Sequence, residues 1–240
     1  MRGTLTIARR ELASFFAIPL GWVATALYLF LTGGVFSLMI LNPSTAATMR
    51  PFFAVSAWLL LPVIPAISMR LFSEEFRSGT IEPLLTSPVS DAAIALGKYL
   101  GALGFMVLML VPTLLHVGVL AWLSDPAPDA GPIVAGYTSL VLLGMLYLSI
   151  GLFISSLTSN QTLAFLGTLF AILLLLLATT LGADRLPEAM RPLLYAAALT
   201  PRIADFSKGV IDTSHVVFFV SCSAWFVLLT IVALQSRRWS

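Results

Sequence analysis

Six apolar stretches constrain this chain more than any other feature: Leu20–Ile40, Phe52–Met69, Tyr99–Leu123, Ile133–Leu157, Leu163–Leu181 and Val216–Leu234. At about 1.5 Å of rise per helical residue, each covers most of a hydrocarbon core roughly 30 Å thick. Any one of them could be the core helix of a soluble domain; six with almost no internal charge could not. Lipid offers a bare peptide group no partner, so each stretch must be helical or part of a closed barrel. Barrel strands would alternate over about ten residues. Instead, 169–178 reads Leu-Phe-Ala-Ile-Leu-Leu-Leu-Leu-Leu-Ala without interruption. The predicted fold is therefore all-α, a polytopic membrane protein with six transmembrane helices in a single domain over residues 1–240. Composition agrees: 59% of the 240 residues are hydrophobic, 10% are charged, and mean hydropathy is +0.99. A water-facing surface ordinarily takes about 25% charged residues.

Several function classes drop out on the same grounds. A net charge of +2, with 13 basic residues placed at segment ends, offers no patch for nucleic acid. The single cysteine, Cys222, lies inside an apolar run, so there is no disulfide framework. The first apolar run is of spanning length and lacks a small-residue cleavage site, which marks it as a retained anchor. With both termini cytoplasmic, the inside segments carry Arg2, Arg9, Arg10, Arg70, Arg77, Lys98, Arg237 and Arg238. The outside ones carry Arg50, Arg185, Arg191, Arg202 and Lys208, mostly in one long loop that weighs less in orientation. The connection 124–132 has two acids and no base, as an outside turn should.

Residues 1–19 form an opening segment of their own. On a helical wheel Leu5, Ala8, Leu12, Phe15 and Phe16 share one side, with Arg10 and Ser14 opposite, while Ile7 and Arg9 break the pattern. Such a helix either lies along the inner membrane surface or simply extends the first span into the cytosol. Phe15-Phe16 followed by Pro19 favours the interfacial helix, because the proline marks a bend. Gly33-Gly34, Pro62, Pro65 and Pro112 inside the spans read as packing and mild kinking. Gly97 and Gly101 at the entry to the third span permit close helix approach, a spacing that also arises by chance.

The most informative loop is 73–98. It holds four of the five acids assigned to the inside, namely Glu74, Glu75, Glu82 and Asp91. Ser73 is placed to cap a short helix with acids in its first turn, and Gly79 to end it. Thr80–Thr86 forms a further turn, Pro88 breaks the chain, and Ser90-Asp91 caps the lead into the third span. Ile81, Leu84 and Leu85 near the cytosol are costly unless the membrane surface or a second protein covers them.

Phe-Ser-Glu-Glu-Phe-Arg-Ser-Gly-Thr-Ile-Glu-Pro-Leu-Leu-Thr-Ser-Pro-Val (72–89) resembles the cytoplasmic coupling segment of the ABC type-two transporter permeases. Among these it is most similar to the gliding-motility (GldF-like) and nitrous-oxide-reductase maturation (NosY-like) branches. Arg-Arg-Glu-Leu-Ala-Ser-Phe-Phe (9–16) resembles the family's opening helix, and 205–212 with the Ser-Arg-Arg-Trp ending (236–239) resembles its closing segment. Pro83 departs from a leucine common in the family, which shifts where the local helix begins or breaks. The resemblance implies a permease subunit in the bacterial inner membrane, paired with a second permease or with its own copy. A separate ABC ATPase subunit would bind the ATP, dock on the coupling segment, and tilt the second and third spans. The residues implied in docking are Glu74, Glu75, Arg77, Gly79, Thr80, Glu82, Leu84 and Leu85. Those of the interfacial helix are Arg10, Glu11, Phe15 and Phe16. In the family, the outer loop 182–215 caps the translocation path.

Three other readings compete. An intramembrane hydrolase would need converging acids and histidines. Glu74–Arg77 only superficially resembles the motif of membrane proteases of the CAAX type, and His116 has no acid one turn away. An ion-coupled secondary transporter would need ionisable groups deep in the spans, where His116 stands nearly alone. A structural scaffold remains open as well. Ser14, Thr25, Tyr28, Thr32, Ser37, Ser149, Ser155 and Ser156 could line a weakly polar path or merely pack helices. No phosphate-cradling G-x-x-x-x-G-K-[ST] occurs, so ATP hydrolysis by that route is not expected of this chain, and neither cofactor nor metal is expected.

Overall fold

The computed structural model describes residues 2–41, 48–80, 89–180 and 197–238, and among these every regular element is helical. α1 spans Arg2–Ala17, and α2 spans Pro19–Val35 and continues as a π-helical turn over Phe36–Ile40. α3 (Arg50–Ser68) leads through a tight elbow into the short α4 (Ser73–Ser78). α5 (Asp91–Leu110) passes through a 3₁₀ turn at Val111–Thr113 into α6 (Leu114–Leu123). α7 (Ala130–Leu157), α8 (Gln161–Thr180), the short α9 (Leu199–Ser207) and α10 (Thr213–Arg238) complete the chain.

Six helical stretches are long and apolar enough to cross a membrane: Pro19–Ile40, Arg50–Ser78, Asp91–Leu123, Ala130–Leu157, Gln161–Ala178 and Thr213–Ser236. They match the six apolar runs in order, and the chain is a multi-pass membrane protein. α7 is the central post, 72% buried over its most apolar window, against 22% for the fifth and sixth spans. It packs on α3, α5, α8, α9 and α10. Gly144 and Gly151 make that possible, since a Cβ at either would collide with Met106 of α5 or Ser68 of α3. The outer spans turn Trp22, Phe30, Leu115, Trp122, Phe170, Leu174 and Trp225 outward, as lipid-facing surfaces do.

Helix breakers act where the sequence placed them, with different results. The π turn begins two residues after Gly34, and Pro112 sits inside the 3₁₀ turn. Pro62 and Pro65, by contrast, lie within a continuous α3. Ser90 caps α5 as expected, its hydroxyl accepting from the Ala93 amide at 3.3 Å.

α1 is a separate helix that packs along α5 and against the start of α2. Its buried face differs from the wheel reading. Ile7, Ala8, Glu11 and Phe15 face inward, while Leu5 is 62% exposed and Phe16 points partly outward. The reason lies on α5. A Cβ at Gly97 would fall 2.7 Å from Ile7 Cβ, and one at Gly101 2.6 Å from Glu11 Cβ, so these glycines form the trough that α1 occupies. A face chosen for apolarity alone misses a trough that selects by fit. Phe15 stacks on Phe105 at 4.7 Å, and Phe16 meets the same ring edge-on at 5.4 Å. Trp22 Nε1 donates to the Phe16 carbonyl at 2.9 Å, fastening the bend at Pro19.

Candidate functional site

The end of the bundle that carries α1 and α4 holds a compact set of charges. Lys98, about two turns into α5, is only 2% exposed. Its Nζ lies 2.9 Å from Glu75 of α4 and 3.2 Å from Glu11 of α1, and 5.3 Å from the centre of the Phe72 ring. Arg10 reaches Glu75 from the exposed side at 3.6 Å. Two acids and two bases thus balance, which is what a poorly hydrated site demands. Beside them Arg70 pairs with Glu74 at 2.8 Å and lies 5.7 Å from the centre of the Phe15 ring. One ammonium therefore joins three helices that are far apart in sequence.

The elbow between α3 and α4 is pinned from α7. Ser155 Oγ accepts from the Phe72 amide at 3.0 Å and the Ser73 amide at 3.1 Å, and donates to the Met69 carbonyl at 3.1 Å. Leu71, Phe72 and Ser73 are fully buried around it. Ser73 does not cap α4 as its sequence position suggests: it is the first helical residue, and its hydroxyl donates back to Met69. The capping acceptor is supplied instead by Ser155, from another helix. Gly79 does end α4, in the left-handed conformation at φ 71° that favours glycine.

Of the residues assigned to docking, Glu74, Arg77, Gly79 and Thr80 are exposed on or just beyond α4. Glu75 instead turns inward to Lys98. Glu82, Leu84 and Leu85 lie outside the described residues. On α1, Arg10 is exposed, but Glu11 and Phe15 are buried in the α1–α5 contact rather than facing a membrane surface. Sequence reasoning named Lys98 only as one of the inside basic residues and Ser155 only as one of several hydroxyls that could line a path or pack helices, and gave neither a place in this site. The available signal was Lys98 inside the Gly97-x-x-x-Gly101 trough, with a lone acid, Glu11, in the facing amphipathic helix.

A second polar group occupies the opposite end. Arg202 Nη1 and His215 Nδ1 are 2.8 Å apart, and His215 Nε2 lies 3.4 Å from Asp205. Lys208 pairs with Asp205 at 3.3 Å. The Lys208 hydrogen bond, and then that of His215, hold the exposed Asp205 carboxyl below its ordinary range. The part of the outer loop over 182–196 lies outside the described residues. The described remainder contains one short helix, α9, whose Leu199 and Phe206 are buried against the bundle. His116 lies between the rings of Phe36 and Phe52, at 4.8 and 5.6 Å. Among the described residues no three His, Cys, Asp or Glu side chains gather to hold a metal.

The chain is 34% identical over 95 residues to the probable multidrug ABC transporter permease YbhR of Escherichia coli strain K12, and equally to that of strain O157:H7. The match covers 40% of this chain and 25% of each relative, so the chain spans about a quarter of the length of the curated relatives it matches. The model of the ABC-2 family transporter proteins matches residues 41–195, which takes in α3, the α3–α4 elbow, Lys98 and all of α7. On that match, which covers more than half of the chain, and on its six membrane-spanning helices, this chain belongs to the ABC-2 transporter family.

Proposed function

We propose that this permease is the membrane half of an ATP-driven exporter, moved by a separate ATPase that grips α4 and the residues following it. The family implies such a partner. The reading supplies what it does here. The observation that carries it is the pairing of Glu75 on α4 with Lys98 on α5, which also holds Glu11 on α1. Displacing α4 cannot leave the other two helices in place without parting buried charges, and that costs about 3–5 kcal/mol. The ion cluster is thus a rigid joint through which work at α4 reaches the second and third spans. Ser155 supplies the fulcrum, because the elbow it holds stays fixed to central α7. A bundle with two packed arrangements would then pass between inward-open and outward-open or occluded forms.

In this reading the α4 end is cytoplasmic, both termini lie inside, and the protein resides in a bacterial inner membrane. It works as a pair, with its own copy or with a related permease, and its branch is the gliding-motility or nitrous-oxide-reductase maturation one. The test uses the permease with its cognate ATPase in proteoliposomes. Arg77→Glu with Thr80→Arg alters only exposed positions on α4 and just beyond it, and is expected to abolish co-purification and stimulated ATP turnover. Unchanged association and turnover in a correctly folded double variant would remove α4 from the docking surface.

A further inference from the structure

On the side of the bundle facing away from the ion cluster, α3, α7, α8 and α9 enclose a cavity of about 330 Å³. That is at the lower end of the roughly 300–1,000 Å³ typical of small-molecule sites. Its polarity is graded. Arg50, Ala54, Ala57 and Leu61 lie on one face of α3, at helical spacing, so the wall runs from a guanidinium at the helix start to bare hydrocarbon eleven residues further in. Lys208, just past α9, adds a second cation at the same end, and Leu176 of α8 closes the apolar part. Asp205 already neutralises part of the Lys208 charge at 3.3 Å, whereas Arg50 has no ion-pair partner among the described residues. Trp58, 63% exposed, flanks the cavity and leaves it open sideways.

We infer that this cavity binds an anionic amphiphile, with its phosphate or carboxylate head at Arg50 and Lys208 and its alkyl chain along α3 toward Leu61. A wholly apolar ligand would leave Arg50 without a counter-charge, and a small hydrophilic anion would leave the apolar walls unfilled. The same chemistry has two sources, a phospholipid of the surrounding leaflet or a soluble single-chain amphiphile handled as cargo. Only the cargo assignment rests on the export reading. Binding requires no ATPase, so it is measured separately.

The permease is reconstituted in nanodiscs, and Trp58 emission is taken as the difference between wild type and Trp58→Phe. Phosphatidylglycerol with brominated chains is expected to quench that difference at roughly tenfold lower mole fraction than brominated phosphatidylcholine, the scale of one charge-assisted contact. Arg50→Gln, at an exposed position, is expected to remove most of that preference, and Ala57→Leu to reduce quenching by both lipids. Relief of quenching by dodecyl phosphate identifies a soluble amphiphile as a ligand. Preference for phosphatidylglycerol without such relief identifies a leaflet lipid. Equal quenching by the two lipids, or a preference untouched by Arg50→Gln, overturns the inference. Absence of ATP-driven transport by the permease with its ATPase in proteoliposomes, with the lipid preference intact in nanodiscs, would instead count against the exporter reading alone.

Discussion

At Lys98 the cost of burying an ammonium is met by two carboxylates from other helices, and this makes the residue sensitive in a particular way. Lys98→Met leaves Glu11 and Glu75 buried without their cation, and destabilisation by about 3–5 kcal/mol is expected, read as a fall in the detergent unfolding midpoint. Replacing all three by leucine removes the buried charges together and is expected to restore most of that stability. The same triple variant should not restore stimulated turnover, because the joint from α4 to α1 and α5 is gone. Recovery of both would show the cluster to be structural only. Ser155→Ala removes the acceptor for two buried amides, and a loss of about 1–3 kcal/mol is expected in the same measurement. Ser155→Thr keeps the hydroxyl and separates loss of the bond from loss of packing.

Between helices, fit outweighs apolarity. α1 meets α5 in the Gly97–Gly101 trough, and any side chain there overlaps Ile7 or Glu11. Gly101→Leu should lever α1 off the bundle, at about 1–3 kcal/mol for overpacking. A new protease site within α1 offers the readout, because faster cleavage in the variant follows from a detached helix. If cleavage is unchanged, the trough does not hold α1. These contacts also explain what could be read in the sequence of this element. Its existence and its bend at Pro19 were legible from Phe15, Phe16 and the proline. Its inward face was not, because Ile7 and Glu11 are buried by what α5 lacks, a Cβ at two positions.

For the whole molecule, successive spans alternate in direction, so α1, α4 and the end of α10 share one face, and α9 with the starts of α3 and α10 share the other. The proposed orientation puts the first face in the cytosol. In a Cys222→Ala background, a cysteine at Arg77 should react with a membrane-impermeant maleimide only in inside-out vesicles, and one at Asp125 only in intact cells. Reversed labelling would turn the molecule over and deprive a cytosolic ATPase of its grip. The two faces also divide the chemistry, with buried paired charges at α4 and unevenly compensated cations around the α3–α9 cavity.

The number, order and helical type of the six spans followed from the sequence alone, since twenty or so apolar residues in lipid have only the helix in which to satisfy their peptide groups. The end of α4 at Gly79 and the cap of α5 at Ser90 were equally local, and so equally readable. What only the tertiary structure decided is which charges meet. Glu11, Glu75 and Lys98 look like three ordinary surface residues until α1 lies in the trough on α5 and α4 folds back beneath them. Likewise Ser155 was one hydroxyl among many until the elbow after α3 came to rest on it. Hydrophobic periodicity reports a residue's relation to solvent, whereas a buried ion pair depends on the relation between helices, which no single segment encodes.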